Sequence, residues 1–247
     1  PINKIGKVLE RLIFIFYRNV KFMTASNSTK IVLEKLGIEK KNITVITSGL
    51  SDKPVTKLPV KEKYPTFIFV SRVVKMKGIE EVIRSFFYIL KELKDARLWI
   101  VGDGEKKYVE ELKETMRSFS ISTKVKFFGR VDDNKKLELM QKAHLLLHAS
   151  IKEGWGLVVI EAASQGTPSV VYNVSGLRDS VKDEKTGIVL KENNAKEMAR
   201  EVVDLIKDKN KYIEFQKNGL LWAKSLTWER ATKQGLELLA QVSKVKS

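Results

Sequence analysis

The sequence predicts an α/β fold built on a doubly wound parallel sheet. Three observations carry this expectation. From residue 66 onward, short apolar runs alternate with longer runs whose apolar residues recur at helical spacing. The short runs are apolar at nearly every position, as strands covered on both faces are, and no hairpin signal joins one to the next. With 247 residues, 43% of them hydrophobic, the chain is long enough to bury a sizeable core.

Residues 1–50 read as a helix, the short strand VKFMT, a second helix within SNSTKIVLEKLGI and the strand NITVITSGL. Ser26 to Ser28 offer N-cap oxygens, and Ile31, Val32 and Leu36 form an apolar stripe at helical spacing. Residues 51–65, SDKPVTKLPVKEKYP, are polar, hold three prolines and show no periodicity, which is the composition of a linker. Then follow the strand TFIFVS, a helix over 79–93, the strand ARLWIVG, a helix over 105–118, the strand VKFFG, a helix over 133–142, the strand HLLLHAS, a helix over 157–165 and the strand SVVYN. In helix 79–93, Ile79, Val82, Ile83, Phe86, Leu90 and Leu93 share one face, and Glu80 and Glu81 stand in the first turn, where the helix dipole favours acids. Doubly wound sheets of this kind take their ligands at the carboxyl ends of the strands.

A net charge of +16 suits an anionic partner: a nucleotide, a phosphorylated substrate, nucleic acid or an anionic membrane surface. No helix-turn-helix, zinc-finger or RNA-recognition signature accompanies it, so nucleic acid is not expected as a partner. The absence of cysteine excludes disulfides and thiol chemistry, and two histidines make a histidine-rich metal site a poor expectation. LIFIFY, at 12–17, is too short to span a bilayer and lacks a signal-peptide cleavage site. The expectation is a cytoplasmic chain, either free or resting peripherally on a membrane through LIFIFY and its neighbours Lys4, Lys7, Arg11 and Arg18. Alternatively, that segment is a core helix of a domain not contained in this sequence.

Three strand ends carry residues able to do chemistry. In SRVVKMKG, Arg72 and Lys77 follow a strand and Gly78 opens a helix; two cations there suit a diphosphate, although two solvated basic residues would look the same. VGDGE, at 101–105, is a glycine turn that either serves structure alone or lets backbone approach a flat ligand. In EGWGLVVIE, Glu153 and Glu161 have seven residues between them. If a helix starts near Gly156, its free amides face the strand ends, and Gly154 and Gly156 leave the backbone uncovered. Glu161 then lies one turn from the Leu157 amide on the same face, and Glu153 lies on the opposite side of any bound phosphates. Two carboxylates bracketing a diphosphate, each near hydroxyl groups, is what a nucleotide sugar requires.

The run HLLLHASIKEGWGLVVIEAASQGTPSVVYNVSGLRDSV resembles the E-x7-E region of the retaining glycosyltransferases of family 4. SRVVKMKG, LWIVGDGE, VKFFGRV and the late SLTWERA fall in that family's order, so the resemblance covers about residues 20–240. It implies the C-terminal donor-binding domain of a GT-B glycosyltransferase at 66–247, joined through a linker at 51–65 to the end of an acceptor-side N-terminal domain at 1–50. It implies no cofactor and no metal, and a UDP-, GDP- or ADP-sugar as donor. The partner would be an acceptor glycan, lipid or small molecule, and a missing N-terminal domain or partner chain would complete the acceptor side; the alternative is a non-catalytic nucleotide-sugar-binding subunit that needs a partner chain. By the same resemblance Arg72 and Lys77 neutralise the donor diphosphate, Glu161 holds the ribose, and Glu153 binds the transferred sugar and favours an oxocarbenium-like transition state. The amides of Gly154, Trp155, Gly156, Leu157 and Val158 contact sugar and phosphate, and backbone at Arg130 and Val131 reads the base. The chain departs from the family pattern at Ala149, where proline is common, at Trp155, where phenylalanine is common, and at SGLRD (175–179), where two glycines and a glutamate are typical. His144 and His148 read as structural, and Asp132 and Asp133 as a helix cap rather than metal ligands.

Overall fold

The computed structural model describes Leu9 and residues 12–244. Lys4, Lys7 and Arg11, named above as membrane contacts, lie outside the described residues. The described chain forms two compact units. One comprises the residues up to Ser51 together with those from Leu226 onward, and the other is Asp52–Ser225.

In the first unit, residues 12–16 are helical and precede strand β1 (Phe22–Thr24), helix α1 (Asn27–Lys35) and strand β2 (Ile43–Val45). β1 and β2 pair in parallel. Ser26 caps α1 by accepting from the Thr29 amide at 3.2 Å, as its position before the helix suggested. The expected stripe does not face inward: Ile31 and Val32 are exposed, and Leu33 instead joins Ile38 and Ile43 in a small core with Phe14 and Phe22. α1 is apolar on two faces, and the paired strands cover one. The last helix, α9 (Trp228–Lys244, numbered by its place in the chain), returns to this unit: Leu50 donates to Leu226 O at 2.9 Å and Arg230 to Thr47 Oγ1 at 2.5 Å.

The second unit is the doubly wound domain. Its strands are β3 (Thr66–Val70), β4 (Arg97–Val101), β5 (Val125–Gly129), β6 (Leu145–His148), β7 (Ser169–Val171) and β8 (Gly187–Val189), all parallel, in the order β5-β4-β3-β6-β7-β8. The helices between them are α2 (Ile79–Glu92), α3 (Lys106–Ser118), α4 (Asp133–Lys142), α5 (Leu157–Ser164), the short α6 (Leu177–Ser180) and α7 (Ala195–Lys207), and α8 (Lys209–Lys224) follows. Successive β3 residues serve opposite cores. Phe67 and Phe69 pack with Ile79, Ile83 and Phe86 of α2, whereas Ile68 and Val70 pack with Leu139, Met140 and Val159. Each such fully buried aliphatic or aromatic side chain contributes about 1.5–3 kcal/mol relative to exposure. The α2 stripe matches its expectation, with Ile79, Val82, Ile83 and Phe86 buried and Leu90 and Leu93 half-buried beside them. β8 has no counterpart in the sequence-based expectation, because three residues beginning with glycine carry too little apolar signal to register as a strand.

Residues 52–65 are irregular but not loose. Val55 donates to Ser164 O and Glu62 to Lys142 O, both at 2.9 Å, and the Lys61 ammonium reaches Thr167 Oγ1 at 2.7 Å and Gln141 O at 3.0 Å. Among the described residues, no helix is long and apolar enough to cross a membrane.

Candidate active site at the strand order reversal

β3 and β6 are neighbours whose outgoing connections lead to opposite halves of the sheet, and such a reversal opens a crevice at the strand ends. The loop after β3 closes against the end of β6. Gly78, at φ 70°, caps α2 with left-handed backbone, and a Cβ there would stand 1.9 Å from Ala149 O. Only glycine permits that approach. Ile151 N at 3.0 Å and Ser150 Oγ at 3.1 Å both donate to Met76 O. The stitched loops carry Lys77 to Glu153: Nζ donates to Oε2 at 2.6 Å, with each side chain 18% exposed. Ser150 Oγ lies 3.2 Å from the same carboxylate oxygen, and His148 Nε2 lies 4.0 Å from it.

α5 begins at Leu157 with Gly156 as its N-cap at φ 79°, and no side chain caps its first turn. A Cβ on Gly154 would meet nothing within 4 Å, so the backbone is open there, as expected. Gly156 differs from the expectation: its Cβ position faces Leu177 and Ser180 at 3.1 and 3.0 Å, so its glycine serves the left-handed turn and close packing. Gly176 presses on the same segment, with a built Cβ 2.4 Å from Glu153 O. Leu157 is exposed, Val158 is half-buried against the core, and Trp155 is buried with no hydrogen-bond partner for Nε1 among the described residues.

One turn into α5, Glu161 meets Lys136 of α4 at 3.2 Å. Burial pushes the Glu161 carboxyl above its usual range and outweighs the pull of Lys136. Burial also acts against the Lys136 ammonium, but Glu161 and Asp133 overcome it and hold that group above the usual lysine value. Each carboxylate of EGWGLVVIE therefore has its own lysine.

Among the described residues, the side chains of the remaining candidates make no ion pair or hydrogen bond with the side chains of these two pairs. Arg72 is exposed and forms no ion pair among the described residues. Arg130, exposed, and Val131, half-buried, follow the edge strand β5, which β4 separates from β3. In VGDGE, built Cβ atoms on Gly102 and Gly104 would fall 1.9 Å from Ser71 O and 2.1 Å from Val73 O. These glycines are required by packing on the loop after β3. Asp132 caps α4 by accepting from Lys135 N at 2.8 Å, as its position predicted. His144 is structural, its Nδ1 accepting from Thr66 N at 3.0 Å; burial foremost, with Lys61 adding, pulls it down to about 4. Sequence reasoning passed over Lys136, Ser150 and the orientation of His148. Lys136 is 25 positions from Glu161, so no local spacing links them, whereas Ser150, three residues before Glu153, was within reach of a local search.

The model of the family described as "Glycosyl transferases group 1" matches residues 52–222. The chain belongs to this glycosyltransferase family. This glycosyltransferase chain is 30% identical over 195 residues to the poly(glycerol-phosphate) alpha-glucosyltransferase of Bacillus subtilis, a match covering 76% of the chain and 28% of that relative. It is 27% identical over 245 residues to the uncharacterized glycosyltransferase MJ1069 of Methanocaldococcus jannaschii, covering 94% and 62%. Its fold matches the crystal structure of Anabaena Alr3699/HepE in complex with UDP and glucose, with a TM-score of 0.78 at 20% identity over 94% of the chain and 66% of that protein. The parallel Rossmann-like α/β architecture is that of GT-B glycosyltransferases. The glycosyltransferase chain thus spans less than two thirds of the length of these relatives.

Proposed function

We propose that this chain carries the donor-binding part of a retaining glycosyltransferase, which moves a sugar from a nucleoside-diphosphate sugar to an acceptor without a metal ion. The observation that carries the reading is the pair of lysine-matched carboxylates, Lys77–Glu153 and Lys136–Glu161, flanking the uncapped start of α5. A helix start with unpaired amides favours phosphate oxygens. Arg72 and Lys77 supply the cations that stabilise the leaving diphosphate. Glu161 takes the ribose hydroxyls and Glu153 the hydroxyls of the transferred sugar, with the amides from Gly154 to Val158 between them and the backbone at Arg130 and Val131 toward the base. In the front-face reaction that the family resemblance implies, the leaving phosphate helps to deprotonate the acceptor, so no protein nucleophile is required. The two carboxylates then mark two ends of one donor rather than an acid and a base across a bond.

The acceptor side would lie on another folded segment or a partner chain. The greater length of the relatives supports this, as do the uncovered apolar side chains of the first unit, among them Leu12, Ile13, Phe16, Met23 and Ile31.

Calorimetric titration with UDP, GDP and ADP, with and without magnesium, tests the proposal. One nucleotide should bind independently of metal. Glu161→Ala should weaken that binding by about tenfold or more, the loss of a charge-assisted hydrogen bond of about 1.5–3 kcal/mol. Glu153→Ala should leave free nucleotide binding nearly intact and impair transfer in the complete enzyme. Equal losses in both variants would contradict the assigned roles.

A further inference from the structure

His148 ends β6 at the crevice, and its side chain is 1% exposed. Its ring lies beside Phe69 of β3, with centroids 6.0 Å apart. The charged groups facing it are Glu153, whose Oε2 is 4.0 Å from Nε2, and Lys77, paired to that same oxygen. Nδ1 is buried with no hydrogen-bond partner among the described residues. A proton on Nδ1 would be a buried orphan donor, whereas a proton on Nε2 points at a carboxylate, so the neutral ring carries it on Nε2.

Lys77 has two claimants. In the structure it neutralises Glu153, and in the reading above, on which this inference rests, it also neutralises the donor diphosphate. A diphosphate that draws the ammonium away leaves Glu153 with the Ser150 hydroxyl, whose single proton Met76 O and Lys152 O also claim, and with the waiting imidazole. We propose that His148 is a positioning residue for Glu153, its Nε2 taking over the carboxylate when a diphosphate draws Lys77 away and so keeping Glu153 aimed at the transferred sugar. The move is small, because closing from 4.0 Å to hydrogen-bond distance takes about 1 Å, within reach of a Glu153 torsion. Burial first, and Lys77 after it, hold the imidazole down to about 4 against the pull of Glu153; withdrawing Lys77 therefore strengthens its hold on a proton.

With two histidines in the chain, imidazole NMR reads this directly, and His144 serves as internal control. In the unliganded chain His148 should stay neutral with its proton on Nε2. Lys77→Met, which mimics withdrawal of the lysine without any ligand, should raise the His148 midpoint by about one pH unit or more, a tenfold gain in proton affinity. Saturation with the nucleoside diphosphate that binds among UDP, GDP and ADP should do the same. Glu153→Gln should abolish the rise, and His144 should not move. A His148 midpoint unchanged in Lys77→Met, or raised equally when Glu153→Gln is added, would overturn the proposal. If no nucleotide binds, the donor-site reading fails while the Lys77→Met comparison still decides the role of His148.

Discussion

Gly78→Ala should destabilise the chain by about 2–5 kcal/mol, and the structure shows where that free energy comes from. Placing a non-glycine residue in left-handed backbone costs roughly 1–2 kcal/mol, and Gly78 sits at φ 70° and ψ 26°. The new methyl would stand 1.9 Å from Ala149 O, so the loop after β3 must back away from β6 by more than 1 Å. That retreat breaks the bonds from Ile151 N and Ser150 Oγ to Met76 O, each of net worth about 0.5–1.5 kcal/mol. It also parts Lys77 from Glu153. Urea denaturation followed by far-ultraviolet circular dichroism measures the loss, with Gly154→Ala as control, because a Cβ there meets nothing within 4 Å. The control should change stability by less than about 0.5 kcal/mol. A Gly78→Ala transition matching that of the control would refute the argument that this glycine holds the two loops together.

Two further outcomes follow from the packing. Burial brings the Lys61 ammonium down to about 7 from an ordinary value of 10.5. Between those values the unfolded chain binds the extra proton, so stability should rise with pH from about 7 toward the ordinary lysine value, with a slope from this group of up to about 1.36 kcal/mol per pH unit. Lys61→Met should flatten that rise in denaturation midpoints taken across the range, and an unchanged slope would show that another group is responsible. Gly235 lies inside α9 with nothing within 4 Å of its Cβ position. Gly235→Ala should therefore stabilise the helix by about 0.5–1 kcal/mol, visible as a higher thermal midpoint for the first unit, and a lower midpoint would count against this placement.

Much of the doubly wound domain was legible in the sequence because its signals are local. The alternation of β3 residues between two cores makes that strand apolar throughout, and the helical spacing of Ile79, Val82, Ile83 and Phe86 marks one buried face. Asp132 and Ser26 announce helix starts through bonds to amides three residues on. The helix after EGWG begins where the glycines suggested. Where local signals mislead, the reason lies in what packs against the element. Val32 and Leu36 stand at helical spacing with Ile31 beside them, yet the strands beside α1 cover Leu33 instead.

By itself, the sequence determined the doubly wound α/β class, the placing of Lys77 and Glu153 near strand and helix ends and that of Glu161 one turn into a helix, because periodicity, capping and glycine turns depend on neighbours a few residues apart. Only the tertiary structure decided the partners. The strand order set β3 beside β6, which joined Lys77 to Glu153 across 76 positions. The packing of α4 on α5 supplied Lys136 to Glu161, the end of β6 set His148 4.0 Å from Glu153, and the last helix joined the first unit. These are through-space matters of charge, distance and excluded water, and no spacing along the chain encodes them.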